Sequence, residues 1–298
     1  MALQALKHAA RRHLRGDSLP DALVLLTRFV RHHRRLPKLL HPERLTDKIL
    51  RRILFDRDRR LCIMADKYAV RDFVRERVGD GVLPDLLHVT TDPDTIPFDQ
   101  LPDRFVVKPT HGANWVRVVR DKSSLDRAEL IRTCKGWLAQ NYHGVTREWA
   151  YKHVPPRIIV EELIDDGHGV TPHDYKLFTF HGRTEYILVV MGRFEDRGFA
   201  VMTPDWQPVD VVWPAVGKRR DAERPPHLSQ MLEIAQKLGH DTPFARIDFY
   251  DTERKLYFGE MTMTPGGAFD IYEPREFDLT IGRHWRMRPR RGRAVTAA

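Results

Sequence analysis

The chain has 298 residues, of which 42% are hydrophobic and 9% aromatic, with only 18 Gly. That is enough to bury a sizeable core, and it excludes collagen-like, low-complexity and disordered classes. The formal charge of +9 is unevenly spread: residues 1–60 carry +10 and residues 283–298 carry +6, which leaves −7 on residues 61–282. A nucleic-acid-binding module clusters its cations on the folded body, so a mildly acidic body between two basic flanks argues against nucleic acid. The flanks read as contact surfaces instead.

Two cysteines, Cys62 and Cys134, build no disulfide framework and stand in no metal-ligand spacing, which fits a reducing compartment. The most apolar N-terminal stretch, Leu19 to Val30, is interrupted by Asp21 and Arg28. It spans roughly a dozen residues against the ~20 a bilayer crossing needs. The expectation is a cytoplasmic protein, peripheral at most to the inner face of the membrane.

Leu19, Leu23, Leu26 and Val30 recur at helical spacing beside Arg28, Arg31, Arg34 and Arg35, which predicts an amphipathic basic helix. Packing of that helix on the body is the favoured reading, and docking on anionic lipid or a partner is the alternative. Pro37 and Pro42 break the chain before a second helix, Leu45 to Phe55, with Thr46 and Asp47 as cap candidates. A third helix is expected over Ile63 to Val78. Residues 84–104, with four prolines and five aspartates, read as a connection, and a boundary is placed near residue 100.

Beyond it, β-rich runs are expected at Phe105–Lys108, Val116–Arg120, Arg157–Glu162, Tyr175–Phe180, Tyr186–Val190, Ala245–Tyr250 and Leu256–Met263. Helices intervene at Leu125–Gln140 and His227–Leu238. The pattern is α+β with largely antiparallel sheets and no internal repeat.

Three segments carry chemistry. FVVKPTHGANWVRVV places Lys108 at a strand end beside a glycine loop, where an ammonium and loop amides can hold a polyphosphate. Alone, such a lysine is ordinarily a solvated edge charge. RIIVEELID ends a buried-looking strand in paired carboxylates, and Asp174, Tyr175 and Lys176 open the next. ARIDFYDTERKLYFGEMTMTPGG reads as a hairpin with Arg246 and Asp248 on one face of its first strand and Glu260 and Thr262 on one face of its second. Two carboxylates from neighbouring strands can share Mg²⁺, which prefers a few carboxylates completed by water and phosphate oxygens. Unpaired acids among so many apolar neighbours would otherwise be expensive.

In this order, the segments LTDKILRRILFDRD, ADKYAVRDFV, RFVVKPTHG, PPRIIVEELI, HDYKLFTFHG and YFGEMTMTPGG resemble the TupA-like branch of the ATP-grasp superfamily over about residues 43–282. That branch is named for a protein of teichuronopeptide biosynthesis. The resemblance implies an ATP-grasp domain over 101–285, with two α+β subdomains enclosing ATP. A helical region over 43–100 precedes it, a basic helical extension covers 1–42, and a basic disordered tail covers 286–298. It further implies that Lys67 and Lys108 contact ATP phosphates, and that Gly112, with His111 and Asn114, forms the phosphate loop. Glu161, Glu162 and Leu163 would form the adenine hinge, largely through backbone groups, and Asp174 would reach the ribose. Asp248 and Glu260 would bind Mg²⁺, with Thr262, where many relatives have Asn, as a third ligand. Arg246 would stabilise the transferring phosphoryl group, and Lys176 would face phosphate or substrate.

The implied reaction is ATP-dependent carboxylate–amine ligation through an acyl phosphate, acting on small-molecule or glycan acids and amines in cell-surface polysaccharide synthesis. The alternative is a non-catalytic nucleotide-binding or glycosyltransferase-associated component of a polysaccharide assembly complex. Anionic membrane or an assembly partner would meet the basic termini. His173, Arg193, Arg197 and Trp206 are acceptor candidates by position alone.

Overall fold

The computed structural model describes residues 20–165, 172–192, 197–252 and 254–287. Leu19, Arg193 and the arginine-rich stretch from residue 288 onward therefore lie outside the described residues. Eight α-helices and two antiparallel-based sheets are present among those described.

Helix α1 (Asp21–His33) packs on the body, as favoured from its pattern, although with a rotated stripe: Val24, Leu25, Phe29 and His33 are buried and Leu23 is half exposed. Polar contacts explain the rotation. Asp21 accepts from His143 Nε2 at 3.0 Å and Lys152 Nζ at 2.9 Å, Arg28 donates to the Val145 carbonyl at 2.9 Å, and His33 Nε2 meets the Ala268 carbonyl at 2.8 Å. Helix α2 (Leu45–Phe55) matches its expected span, but Thr46 and Asp47 do not cap it, because the cap position is Arg44. They lie within the first turn, where Asp278 accepts from the Thr46 N–H and hydroxyl at 3.0 and 2.6 Å and Arg35 donates to Asp47 at 2.6 Å. A carboxylate from a distant helix thus satisfies an end that a local side chain was expected to satisfy.

The helix expected over Ile63–Val78 is two helices, α3 (Arg60–Ala65) and α4 (Ala69–Val78). Asp66 breaks them apart by accepting from the Tyr68 and Ala69 N–H groups, which turns the chain and lifts Lys67 out of either helix. A further difference lies in residues 84–104, which contain strand β1 (Leu86–Thr90).

The smaller sheet has the order β1-β4-β2-β3, where β2 is Phe105–Pro109, β3 is Arg117–Val119 and β4 is Ile158–Glu162. Its strands therefore come from both sides of residue 100. Helix α5 (Arg127–Leu138) covers one face, burying Leu130 and Cys134 against Phe105, Val107, Ile158 and Val160. The short helix α6 (Tyr142–Thr146) follows. Alternation then turns Val106, Lys108 and Glu161 to the other face.

The larger sheet has the order β10-β9-β5-β6-β7-β8: β5 is Asp174–Phe180, β6 Arg183–Met191, β7 Gly198–Met202, β8 Lys218–Arg219, β9 Ala245–Asp251 and β10 Leu256–Thr262. One face is closed by α4 and by α7 (Leu228–Gly239) over Leu177, Ile187, Val189, Ile247, Phe249 and Phe258. The other face is divided. Phe178, Phe180, Leu188 and Phe199 pack under α1, α2 and α8 (Phe277–Arg283), whereas Asp174, Lys176, Arg246 and Asp248 continue the same strand faces as a charged floor.

Candidate functional site

The charged floor and the polar face of the smaller sheet enclose a cleft of about 1180 Å³. Lys67, Lys108, Asn114, Glu161, Glu162, Leu163, Asp174, Lys176, Asp248 and Glu260 line it together. These residues come from both sheets and from four separate stretches of sequence.

On the floor, register sets the geometry. Lys176 of β5 pairs with Asp248 of β9, which pairs with Glu260 of β10, and Arg246 pairs with Thr262 one rung on. The hairpin reading placed Glu260 and Thr262 on one face, but strict alternation from Leu256 and Phe258 would send both into the core. A β-bulge at Gly259 inserts one residue and reverses the phase, so Met261 enters the core, Glu260 turns to the cleft and Thr262 to the space beside it. Glycine suits the bulge because a Cβ there would stand 3.1 Å from the Asp248 carbonyl and from the Tyr250 ring.

Arg246 is the hub. It grips Asp248 through two bonds of 2.7 Å and donates to Glu260 at 2.7 Å and to the Thr262 hydroxyl at 3.2 Å. Thr262 donates in turn to Glu260 at 3.0 Å. Lys176 Nζ lies 2.5 Å from Asp248 and 2.6 Å from Asp174. Burial works to raise the Glu260 carboxyl pKa, yet Arg246, Lys176 and Lys67 overcome it and hold the group well below the usual carboxylate range. Asp248 and Glu260 present hard oxygen donors side by side, which fits Mg²⁺ completed by phosphate oxygens. Among the described residues no group of three acidic, His or Cys side chains stands ready for a metal. Thr262 contributes by fixing Glu260.

On the roof, Lys108 pairs with Glu161 at 2.5 Å, and Arg71 of α4 reaches the same carboxylate at 2.9 Å. Arg71 lies within the ADKYAVRDFV segment but has no role assigned there, since its partner lies 90 residues away. Glu162 exchanges backbone and side-chain bonds with Asp85, its N–H donating to the Asp85 carbonyl at 3.0 Å. Leu163, just past the strand, lines the cleft.

The β2–β3 loop carries Gly112, whose carbonyl accepts from Lys67. The Trp115 ring lies so close over Gly112 that a Cβ would come within 2.5 Å of it. Asn114 takes a left-handed φ of 62° and lines the cleft. His111 differs from expectation: it is buried, its Nε2 meets the Trp137 carbonyl at 3.0 Å, and it does not line the cleft. Alternation past β2 points it towards α5, and burial there lowers its pKa. Burial also brings the Lys67 ammonium down to about 8, against the pull of Glu260 and with help from Lys108.

A second chamber of about 690 Å³ adjoins the cleft across Lys67, Gly259 and Glu260. Arg52, Glu148, Trp149, Tyr151 and Thr264 line it. Arg52 is tied to the Phe244 and Met263 carbonyls at 2.8 and 2.7 Å. Glu148 accepts from Thr264 and has no cationic side chain bonded to it among the described residues; burial raises its pKa to about 7. No sequence pattern marked this chamber, because its walls come from four segments. The acceptor candidates fall elsewhere: His173, Arg197 and Trp206 line neither space, and Trp206 packs against the core with its indole N–H on the Ala222 carbonyl.

No curated protein matches the sequence. Among solved structures, D-alanine–D-alanine ligase from Bacillus anthracis is similar at 17% identity and TM-score 0.47, over 75% of this chain and 66% of that one. The same enzyme complexed with ATP is similar at 18% identity and TM-score 0.41, over 69% and 56%. L-amino acid ligase from Bacillus licheniformis follows at 16% identity and TM-score 0.40, over 69% and 41%. The chain thus spans less than two thirds of the length of each. The family model for TupA-like ATP-grasp matches residues 45–286, which takes in both sheets, the cleft between them and the chamber beside it, and the chain belongs to that family.

Proposed function

We propose that the protein is an ATP-dependent carboxylate–amine ligase that uses Mg²⁺ and acts in the assembly or decoration of a cell-surface polysaccharide. The observation that carries this reading is the convergence of Lys67, Lys108 and Lys176 with two adjacent carboxylates, Asp248 and Glu260, on one cleft, with Arg246 bonded to both carboxylates. Lys108 and Lys176 are held in place by Glu161 and Asp174, and Lys67 by the Gly112 carbonyl, so three ammonium groups stand ready along the cleft for a triphosphate. Lys67 and Lys108 would hold phosphates beneath the Gly112 loop, Leu163 would meet the base, and Asp174 would reach the ribose. Asp248 and Glu260 would hold Mg²⁺, which neutralises phosphate charge when bound.

A substrate carboxylate oxygen attacks the γ-phosphorus, the bond to the β-phosphate oxygen breaks, and ADP leaves. Arg246 faces the charge on the transferring group. The amine nitrogen then attacks the acyl carbon, phosphate departs, and the nitrogen loses a proton. The chamber beside Glu260 is where acceptors would stand, with Glu148 available to take that proton. Membership of a family named for teichuronopeptide biosynthesis supports a uronic acid and an amino acid as the pair.

The deciding experiment is ADP formation by the purified protein across a panel of uronic acids and amino acids. ADP that appears only when an acid and an amine are both present is the expected result, and hydroxylamine should trap the acyl phosphate. ADP release indifferent to every acid would remove the ligase reading. Lys108→Ala should leave the fold intact, since Glu161 keeps Arg71. It should weaken Mg-ATP binding at least tenfold and remove about 1.4 kcal/mol of ligand-dependent stabilisation. An unchanged Mg-ATP melting shift in that variant would take Lys108 out of the phosphate site.

A further inference from the structure

Between α1 and α2 the chain runs RRLPKLLHPE over residues 34–43. Arg34 ends α1 with a left-handed φ of 56°. The inner side of the loop is then fixed at several points. Arg35 donates to Asp47 at 2.6 Å, Leu39 packs against the α2–α8 core and the Leu39 carbonyl accepts from Arg51 at 3.1 Å, while on the exposed side Lys38 pairs with Glu43 at 3.1 Å. Pro37 and Pro42 stiffen it further.

The outer side presents two leucines. Leu36 is 79% exposed and Leu40 is 88% exposed, more than any other large hydrophobic residue described. Single exposed leucines are ordinary, so the informative feature is their company. Arg31, Arg34, Lys38 and His41 are exposed around them, and Glu43 is the one acid within the loop. Helix α8 adds Arg283 to this side: Gly282 packs against the backbone of Glu43, and Arg283 acts on the Glu43 carboxyl. Past the described residues the sequence continues with Arg288, Arg290, Arg291 and Arg293.

We propose that this loop docks the protein on an anionic lipid bilayer, Leu36 and Leu40 entering the acyl boundary while Arg34, Lys38 and Arg283 meet the headgroups. Charge complementarity selects this occupant. Leucines rimmed by cations match a surface that is apolar beneath and negative above. A rigid loop also presents them with little ordering entropy left to lose. The docking surface is then the folded loop itself, and it is independent of the chemistry proposed above.

The test is sedimentation of the full-length protein with phosphatidylcholine vesicles, with and without about 30% phosphatidylglycerol. Pelleting should require the anionic lipid and should fall as salt rises from about 0.05 M to about 0.5 M. Leu36→Glu with Leu40→Glu should lower vesicle partitioning at least about tenfold while the melting temperature stays unchanged. If that pair unfolds, Leu36→Ser with Leu40→Ser reads the same loss. Arg34→Glu with Lys38→Glu should abolish the preference for phosphatidylglycerol. Wild-type protein that ignores anionic vesicles, or leucine variants that pellet like wild type, would overturn the proposal. So would a wild-type dimer, monomeric in the leucine variants, that binds no lipid.

Discussion

Arg246→Ala is expected to destabilise the protein by about 3 kcal/mol, because it strands a buried carboxylate. Asp248 is 2% exposed and would keep only Lys176, while Glu260, its register partner on β10, would repel it. The two acids would then form an anionic pair in need of a cation. Adding Mg²⁺ without nucleotide should therefore stabilise the variant more than the wild type, where the guanidinium already fills that role. Urea unfolding of both proteins with and without Mg²⁺ measures the difference. A loss below about 1 kcal/mol, or equal Mg²⁺ effects in both, would mean that Arg246 does not balance this pair.

Glu148→Gln should act in the opposite sense and depend on pH. Burial holds the folded-state pKa of Glu148 at about 7, above the ordinary 4.5. A carboxyl raised on folding leaves stability intact below the unfolded value and removes it as pH rises from 4.5 to 7. At pH 8 the wild type carries the whole penalty, on the order of 3 kcal/mol. Glutamine keeps an oxygen for the Thr264 hydroxyl and ionises nowhere in this range. The variant should thus be the more stable protein at pH 8 and match wild type near pH 4.5. A pH-independent difference would show that Glu148 is not a strained buried acid. If Glu148 also takes the amine proton, the stabler variant should ligate more slowly and still form the acyl phosphate that hydroxylamine traps.

How much of this was legible in sequence follows from how local each signal was. Strands β5, β6, β9 and β10 are runs rich in β-branched and aromatic residues, so they were placed to within about three residues, the scale on which boundaries are uncertain. Strand β1 escaped because Leu86 to Thr90 is half buried throughout, offers no alternation, and sits among prolines and aspartates. Helices α3 and α4 merged in the reading because the break at Asp66 is a side-chain turn inside a helix-like pattern. Lysines and acids at strand ends were found because their order along the chain is informative. Arg246 was legible beside the floor acids, being two residues from Asp248 on one strand and across a hairpin from Glu260, whereas Arg71 as partner of Glu161 is a product of tertiary packing. His111 shows the converse: proximity to Gly112 in sequence does not decide which side of a loop a ring occupies.

The extra residue at Gly259 gives chain length at this point as much meaning as residue identity. Ahead of it the even-numbered positions Leu256 and Phe258 belong to the core; after it the even-numbered Glu260 and Thr262 face the cleft and the chamber beside it. Deletion of one residue here would change no neighbouring side chain, yet it would trade an acid for a methionine at the cleft and bury the acid in the apolar core. Insertions and deletions between Phe258 and Met261 are therefore closed to this chain, while conservative exchanges at either end of β10 remain open.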